Sequence, residues 1–355
     1  MKTFKLIFFS AFLICFFAIV LDVVKPAEGM AKRKALAPEY FAVYTATLDG
    51  KKVTEVLRDK KRQLSHVRVS PDKKSLTFTR FNKANSAGVA IEENGYMDTE
   101  IMLSRIDGSG TKELVPRKQK QVNCNSYWTP DGNGVIYFSS ENPDKLAQIY
   151  IKDIASGKRT RMPIPNKGVH ATDPFLRGDL VVYPAHRPGK NEEGRIWIMR
   201  KDGKNARQLT GVRAVSYGDL DPKISPDMSR VAFYRYKSNK GEAGGVDLVM
   251  IDIKTGKETI LSKPGNKDLD AMPEWSSDGK LLVFWHINRT DFKKSGIYTI
   301  RPDGTGRKMI PLPAGYLYTM PSFFPGEGSG KNARIIFSAR KLHPAIVKKI
   351  WGVDK

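Results

Sequence analysis

A hairpin motif recurs along this chain and constrains its fold more than any other feature. Its clearest copy is residues 270–284, where Asp-Ala-Met-Pro-Glu-Trp is followed by Ser-Ser-Asp-Gly and then by an apolar run. Two β-prone runs joined by a Pro-Asp or Asp-Gly turn are typical of paired antiparallel strands. Further copies are found at residues 67–78, 127–138, 174–183, 222–233 and 321–337.

A second hairpin alternates with the first. It has an alternating apolar strand, an Asp or Gly turn and a short polar strand, and it occurs at residues 101–108, 149–157, 196–203, 248–256, 297–304 and 41–57. One copy of each hairpin makes a four-stranded sheet, and the repeat distance of about 47–59 residues is typical of a β-propeller blade. The N-terminus supplies an outer hairpin and the C-terminus an inner one, so the two complete a shared blade without leaving open edges. We therefore predict an all-β fold, a six-bladed β-propeller of four-stranded antiparallel blades, closed by N-terminal outer strands pairing with C-terminal inner strands.

The repeat resembles that of a known family. The element Asp-x-x-Pro-x-Trp-Ser-x-Asp-Gly at residues 270–279 is similar to the propeller repeat of TolB, the periplasmic partner of the Tol–Pal envelope system. The resemblance covers about residues 40–340 and implies a protein-binding role in the cell envelope. TolB-like proteins carry an α/β domain before the propeller, whereas here only about ten residues separate the predicted signal from the first strand. Similar repeats occur in propeller domains of prolyl-oligopeptidase-type proteases and of some polysaccharide lyases.

The N-terminal sequence has the features of a secretory signal. Lys2 and Lys5 precede a run at residues 6–21 that is apolar apart from Ser10, and Ala27-Glu-Gly29 places small residues at a cleavage site. Asp22 ends the run short of the roughly 20 apolar residues that a spanning helix needs. We predict a periplasmic protein, or a membrane-anchored one if the signal is not cleaved. The predicted divisions are a signal at 1–29, a linker at 30–39, the propeller at 40–341 and a C-terminal tail at 342–355.

Charge and cysteine content narrow the classes of partner. The chain has 355 residues and 60 Lys and Arg against 37 Asp and Glu, so its formal net charge of +23 favours anionic partners. Cys15 lies in the predicted signal, which leaves Cys124 alone and permits no internal disulfide. We expect Cys124 to be a small buried residue. Export without disulfides suits a periplasmic protein with a sizeable core.

The predicted architecture sends polar residues to opposite ends of the blades. The turn residues Asp72, Asp131, Asp227 and Asp278 are expected to accept hydrogen bonds from backbone in tight turns. The loops before the innermost strands, and the ends of the second strands, converge instead on one mouth of the central channel. We predict a binding site at this mouth, formed by His66, Asn123, Asn125, His170, Asp173, Asp219, Asp221, Arg235, Asp270, His286 and Tyr318.

Two pairs of carboxylates occupy equivalent positions in neighbouring blades. Asp219 corresponds to Asp270, and Asp173 corresponds to Asp221. Such carboxylates either share a proton, hold a cation or basic peptide, or cap the innermost strands through backbone amides. No cofactor is predicted, and a divalent cation at the mouth remains an open alternative.

The function is narrowed by motifs that the sequence lacks. It contains no Gly-x-Ser-x-Gly elbow, Walker loop, Rossmann glycine pattern or haem-attachment pair. The main prediction is a monomeric, non-enzymatic scaffold that binds an envelope protein or peptide. The alternatives are a module that binds an anionic polysaccharide, and a lyase or hydrolase that uses His66, His170 or His286 on such a glycan. No nucleic-acid partner is predicted, and contact with a membrane is expected only through an uncleaved signal.

Overall fold

The computed structural model describes residues 40–81, 98–117, 121–188, 194–211, 217–237, 244–265, 268–344 and 347–348. Within these ranges the fold is all-β; a short 3-10 turn lies at Phe292–Lys294, and residues 344 and 347–348 are helical. No helix in the same ranges is long and apolar enough to cross a membrane. The predicted signal and linker lie outside the described residues, as does most of the predicted C-terminal tail.

Consecutive strands pair antiparallel in sheets that follow the predicted order of hairpins. One sheet contains β3 (Gln63–Val69), β4 (Ser75–Phe81), β5 (Thr99–Arg105) and β6 (Lys112–Val115). The next contains β7 (Asn123–Trp128), β8 (Gly134–Ser139), β9 (Gln148–Asp153) and β10 (Arg159–Arg161). In the third, the first strand is divided into two short pieces, and the strands are β11 (His170–Ala171), β12 (Phe175–Arg177), β13 (Leu180–His186), β14 (Arg195–Arg200) and β15 (Arg207–Gln208).

The next sheet is longer because two four-stranded units are joined. The first unit is β16 (Tyr217–Ile224), β17 (Arg230–Tyr236), β18 (Val246–Asp252) and β19 (Glu258–Ser262). The second is β20 (Leu269–Trp275), β21 (Leu282–Ile287), β22 (Gly296–Ile300) and β23 (Lys308–Met309). A parallel bridge between Val246 and Leu269 is the link between them.

Strands from the two ends of the chain share the remaining sheet. Its order is β2 (Thr54–Leu57), β1 (Ala42–Thr47), β25 (Arg334–Lys341) and β24 (Tyr316–Phe323). Strand β1 pairs with β25 along its whole length, from Ala42 opposite Ala339 to Thr47 opposite Arg334. This pairing covers the edge that β25 would otherwise expose.

The first strands of the sheets, and β24 in the shared sheet, contact one another. Strand β3 contacts β7 and β24, β20 contacts β16 and β24, and β12 contacts β16. The tight hairpin turns of a sheet lie at one end, which we call the turn edge. The first strand begins at the opposite end, which we call the mouth edge.

The predicted role of the turn aspartates is confirmed. Ser70 Oγ and the backbone N–H of Lys74 both donate to Asp72 Oδ1, at 2.5 and 3.1 Å. Asp131, Asp227 and Asp278 accept the same pair of hydrogen bonds in their own turns. These carboxylates therefore stabilise the hairpin turns at the turn edge.

Glycines in the outer hairpins allow neighbouring sheets to approach closely. Gly50, Gly108, Gly203 and Gly304 all have a positive φ, and a Cβ on each would lie 2.3–3.0 Å from a backbone carbonyl oxygen of the preceding sheet. For Gly108 that oxygen belongs to Val56, at 2.6 Å. The equivalent Gly157 also has a positive φ, but its surroundings are open. Glycine at this turn position therefore always provides the left-handed conformation, and at four of the positions it also allows neighbouring sheets to approach closely.

Large side chains fill the space between the sheets. Trp285, Tyr137, Tyr183, Tyr234 and Phe78 are among those that are almost completely buried. Cys124 is buried as predicted and forms no disulfide. Burial raises the pKa of its thiol to about 12, which keeps it protonated and poorly nucleophilic.

Candidate functional site

A left-handed residue interrupts the first strand of each sheet near its mouth edge. The residues with positive φ there are His66, Asn125, Asp173, Asp221, Met272 and Met320. The strand register shifts at these points in β3, β7, β16, β20 and β24, as in a β-bulge. Side chains other than glycine rarely adopt this conformation, so its recurrence marks a shared backbone device. Four of the predicted site residues occupy it.

An ion-pair network connects first strands that are distant in the sequence. Tyr127 donates its hydroxyl proton to Glu274 Oε1 at 2.6 Å, across a separation of 147 residues. Arg68 donates to the same hydroxyl and lies 3.1 Å from Glu274 Oε1. All three side chains are buried. The network fills the space between these strands with paired charges.

Lys223 belongs to the same buried region. Its side chain is completely buried, and Nζ donates to Asp221 Oδ1 at 2.5 Å. Lys223 Nζ and the Arg68 guanidinium lie 4.8 and 4.3 Å from the centre of the Tyr127 ring. Contacts between cations and an aromatic face partly replace the hydration that burial removes.

Two carboxylates that repel each other, Asp173 and Asp221, lie beside these cations. Asn125 Nδ2 donates to Asp173 Oδ1 at 2.8 Å, and Asp173 remains partly exposed. Desolvation and the charge of Asp221 raise the pKa of Asp173 to about 6, although Asn125 and Lys223 oppose the shift. Asp173 can therefore change its charge near neutral pH and can accept a hydrogen bond from a ligand.

Asp219 is held inside its own sheet. The Arg235 guanidinium donates to both Asp219 carboxylate oxygens, at 2.6 and 3.1 Å, and to both oxygens of Glu258, at 2.7 and 3.2 Å. Asp219 has no exposed surface, and Arg235 is 8% exposed. One guanidinium therefore bridges two carboxylates within the sheet and balances one of their two negative charges.

Asp270 has the equivalent arrangement in the next sheet with different partners. His286 Nδ1 donates to Asp270 Oδ1 at 2.7 Å, and Arg307 lies 3.1 Å from the same oxygen. Burial raises the pKa of Asp270, but the hydrogen bond and charge of His286, and then Arg307, outweigh it and lower the pKa. Asp219 and Asp270 thus both pair with basic side chains.

The other predicted site residues lie under the mouth edge. The backbone N–H of Ala147 donates to His170 Nδ1 at 3.0 Å, and the His170 ring stacks on His186 with centroids 5.1 Å apart. Asn123 donates to the Pro116 carbonyl, and Tyr318 donates to the Pro313 carbonyl. His66 is 6% exposed, and burial followed by the nearby Arg68 and Lys223 charges lowers its pKa to about 3. A neutral imidazole is therefore enforced at this position.

The predicted set divides into three groups. His66, Asn125, Asp173 and Asp221 lie together at the bulges. Asp219, Arg235, Asp270 and His286 pair within their sheets, and Asn123, His170 and Tyr318 bond to backbone. Arg68, Tyr127, Lys223 and Glu274 were missed; each follows its bulge residue by two positions, where an apolar strand residue is the usual expectation. Their polarity at the same position of four repeats was the sequence feature that could have revealed them. Among the described residues, no three His, Cys, Asp or Glu side chains are arranged to hold a metal ion.

Comparison with known proteins identifies the fold. A TolB homolog from Chlorobium luteolum is 30% identical over 148 residues, which are 42% of this chain and 30% of that protein. In structure, a putative TolB from Agrobacterium tumefaciens matches with a TM-score of 0.63 and 14% identity, covering 86% of this chain and 99% of that one. TolB from Acinetobacter baumannii matches with a TM-score of 0.51 and 18% identity, over 80% and 65% of the two chains. The fold is that of a TolB-like β-propeller.

The curated relatives match this chain over only part of their length. A putative Tricorn-like protease N-terminal subunit from Sulfurisphaera tokodaii is 26% identical over 137 residues, 38% of this chain and 63% of that protein. The matched segments thus span less than two thirds of either curated relative. No protein-family model matches the chain. The TolB-like resemblance seen in the repeat sequence is confirmed for the propeller.

Proposed function

We propose that this chain is an exported, TolB-like envelope protein that binds a protein or peptide and catalyses no reaction. The observation that carries the proposal is the bulge cluster, formed by His66, Asn125, Asp173 and Asp221, in which Asn125 donates to Asp173 and the Asp173 carboxylate lies beside Asp221 and Lys223. Arg68, Tyr127 and Glu274 are buried next to it, and we infer that the cluster forms the floor of a polar recess at the mouth edge. A recess with acceptors and a neutral His66 suits amide and basic groups of a peptide.

The proposed architecture is a closed ring of six blades. Counting the two joined units separately gives six four-stranded meanders, and first strands contact each other from β24 through β3 to β7 and from β12 through β16 and β20 to β24. Deleting residues 41–57 removes β1 and β2 and exposes β25. We expect this deletion to abolish cooperative thermal unfolding, because a closed ring shares its contacts around the circumference. A cooperative transition at an unchanged temperature would argue against closure.

Capture of a partner from envelope extract tests the binding function. The full chain is expected to retain a protein that resists about 0.5 M salt, because buried contacts are screened less than surface ones. Asp173→Asn should weaken capture at least about tenfold. Asp131→Asn, which changes a turn aspartate on the opposite edge, should leave capture unchanged. Equal capture by both variants would show that the bulge cluster is not part of the binding site.

Export is tested separately. We propose that residues 1–29 direct the chain to the periplasm, so cell fractionation should place it there. Sequencing of the N-terminus should begin near Met30 if the signal is cleaved. A cytoplasmic chain with an intact N-terminus would contradict the proposed location without bearing on peptide binding.

A second candidate function is binding of an anionic polysaccharide. The net charge of +23 favours it. A soluble polyuronate that binds the purified chain, and is released at about 0.5 M salt, would support this candidate because exposed charges are screened. Chain shortening of the polyuronate would point to an enzyme instead.

A further inference from the structure

A basic rim lies at the mouth edge beside the first described residues. It is formed by Lys60, Lys61, Arg62 and Lys341. The Phe41 carbonyl accepts a hydrogen bond from the N–H of Leu64, which places residues 60–62 next to the start of β1. Lys341 follows Arg340, whose guanidinium lies 5.4 Å from the Phe41 ring centre. The rim therefore surrounds the point at which the N-terminal segment joins the propeller.

The rim carries more positive charge than its carboxylates balance. Arg62 pairs with Glu100 at 3.2 Å, and Asp59 accepts a hydrogen bond from the N–H of Lys61. Lys60, Lys61 and Lys341 are exposed and form no ion pair with the part of the chain that the structure describes. The turn edge differs, because lysines there alternate with a turn aspartate such as Asp72, Asp202 or Asp278. The two edges therefore differ in how their charge is balanced.

The sequence before the rim points to its partner. Residues 6–21 are apolar apart from Ser10, and residues 22–39 span at most about 60 Å when fully extended. Lys32, Arg33 and Lys34 add further charge to the connection. An apolar run, a short basic connection and an exposed basic rim at the same edge are the features that bring a soluble domain against an anionic bilayer.

We propose that the basic rim binds the surface of an anionic phospholipid bilayer, with the mouth edge facing the membrane. The inference rests on the proposed export to the envelope with residues 1–29 retained as an anchor, so an N-terminus near Met30 would remove one of its supports without bearing on peptide binding. Each basic side chain near such a surface attracts it independently, and the attraction decays within a Debye length. A partner that enters the recess would then be taken from the membrane side.

Lysine protection tests the proposal on the full chain. The protein is mixed with vesicles of phosphatidylglycerol and phosphatidylcholine in equal parts, or of phosphatidylcholine alone, and accessible lysines are acetylated and located by mass spectrometry. On the anionic vesicles we expect Lys60, Lys61 and Lys341 to react at least about fivefold more slowly. Lys254, Lys257 and Lys280, exposed at the turn edge, should react at an unchanged rate. Equal protection on both vesicles would mean that the apolar run alone holds the chain, and would overturn the proposal.

A pair of matched variants gives a second readout. The charge reversal Lys60→Glu, Lys61→Glu and Lys341→Glu should lower partition onto the anionic vesicles at least about tenfold, since each basic residue contributes about 1 kcal/mol. The same three reversals at Lys254, Lys257 and Lys280 should change partition little. Equal losses in the two variants would show a net-charge effect and contradict a rim. If a soluble polyuronate protects the rim lysines and vesicles do not, the rim binds a glycan and the proposal fails. Neither result changes the outcome expected when a protein partner is captured from envelope extract.

Discussion

At the scale of single residues, this protein buries charge and satisfies it within the fold. Arg235 illustrates the point, because it holds Asp219 and Glu258 while almost inaccessible to water. Removing one member of such a group leaves a buried charge without compensation, which is costly even where the intact group adds little net stability. Buried imidazoles make the stability of the fold depend on pH, because burial favours their neutral form.

We expect Arg235→Met to lower the free energy of unfolding by about 3–5 kcal/mol, because Asp219 would remain fully buried without its cation. The measurement is urea unfolding at neutral pH. Lys204→Met is the control, since Lys204 pairs with Asp202 at the exposed surface and should contribute at most about 1 kcal/mol. Similar losses in the two variants would contradict the structural role of the Arg235 group.

Stability should fall as the pH is lowered from about 6.5 toward 3. Burial and then the nearby His186 lower the pKa of His170 to about 3, whereas in the unfolded chain it titrates near 6.5. Below about pH 6.5 the unfolded state therefore binds a proton that the folded state does not, which costs about 2 kcal/mol at pH 5. His170→Gln should remove this part of the slope in unfolding experiments between pH 7 and 5. A variant whose slope equals that of the parent protein would show that His170 is not the group responsible.

At the scale of elements, the sheets are fitted together by their outer hairpins. Gly108 in the β5–β6 turn approaches the Val56 carbonyl oxygen of β2, and Gly304 approaches that of Leu261 in β19. Both glycines also need the left-handed conformation, which costs other residues about 1–2 kcal/mol. Gly157 needs that conformation but has no close neighbour, so the two requirements can be separated.

We expect Gly108→Ala to cost at least about 2 kcal/mol more than Gly157→Ala. Both substitutions strain the turn, but only at Gly108 would the new Cβ lie 2.6 Å from a backbone oxygen and force neighbouring sheets apart. Differential scanning calorimetry of the two variants gives the difference. Matching losses would indicate that conformation alone selects glycine in these turns.

At the scale of the whole molecule, distant strands meet through the Arg68, Tyr127 and Glu274 network. Tyr127 and Glu274 come from different sheets, so their hydrogen bond joins parts of the molecule that share no backbone pairing. The same group borders the recess proposed to bind a peptide. Its loss should therefore affect both stability and the recess.

Tyr127→Phe is expected to destabilise the protein by about 1–3 kcal/mol, because Glu274 and Arg68 lose the hydroxyl between them. Tyr183→Phe is the matched control, because its buried hydroxyl has no hydrogen-bond partner within the described residues. That control should be neutral or slightly stabilising in thermal unfolding. If the Tyr127 variant is equally neutral, the network contributes no cohesion between the sheets.

The sequence by itself determined the repeating architecture. Hairpin signals such as Pro-Asp at Pro71 and Asp72, and Asp-Gly at Asp278, depend on contacts within a few residues. The alternation of strands along the chain likewise predicted which sheet each strand would join. The pairing of strands from the two chain ends could be inferred because the incomplete hairpins stand at opposite termini.

Only the tertiary structure decided which polar residues compensate one another. The sequence placed Asp173 and Asp219 at one mouth, but the fold puts Asp219 into an ion pair inside its sheet and leaves Asp173 partly exposed at a bulge. Arg68 and Glu274 carried no local signal, since their contact joins strands far apart in the chain. Side-chain electrostatics depend on distances of a few ångströms across several strands, and no repeat spacing encodes those distances.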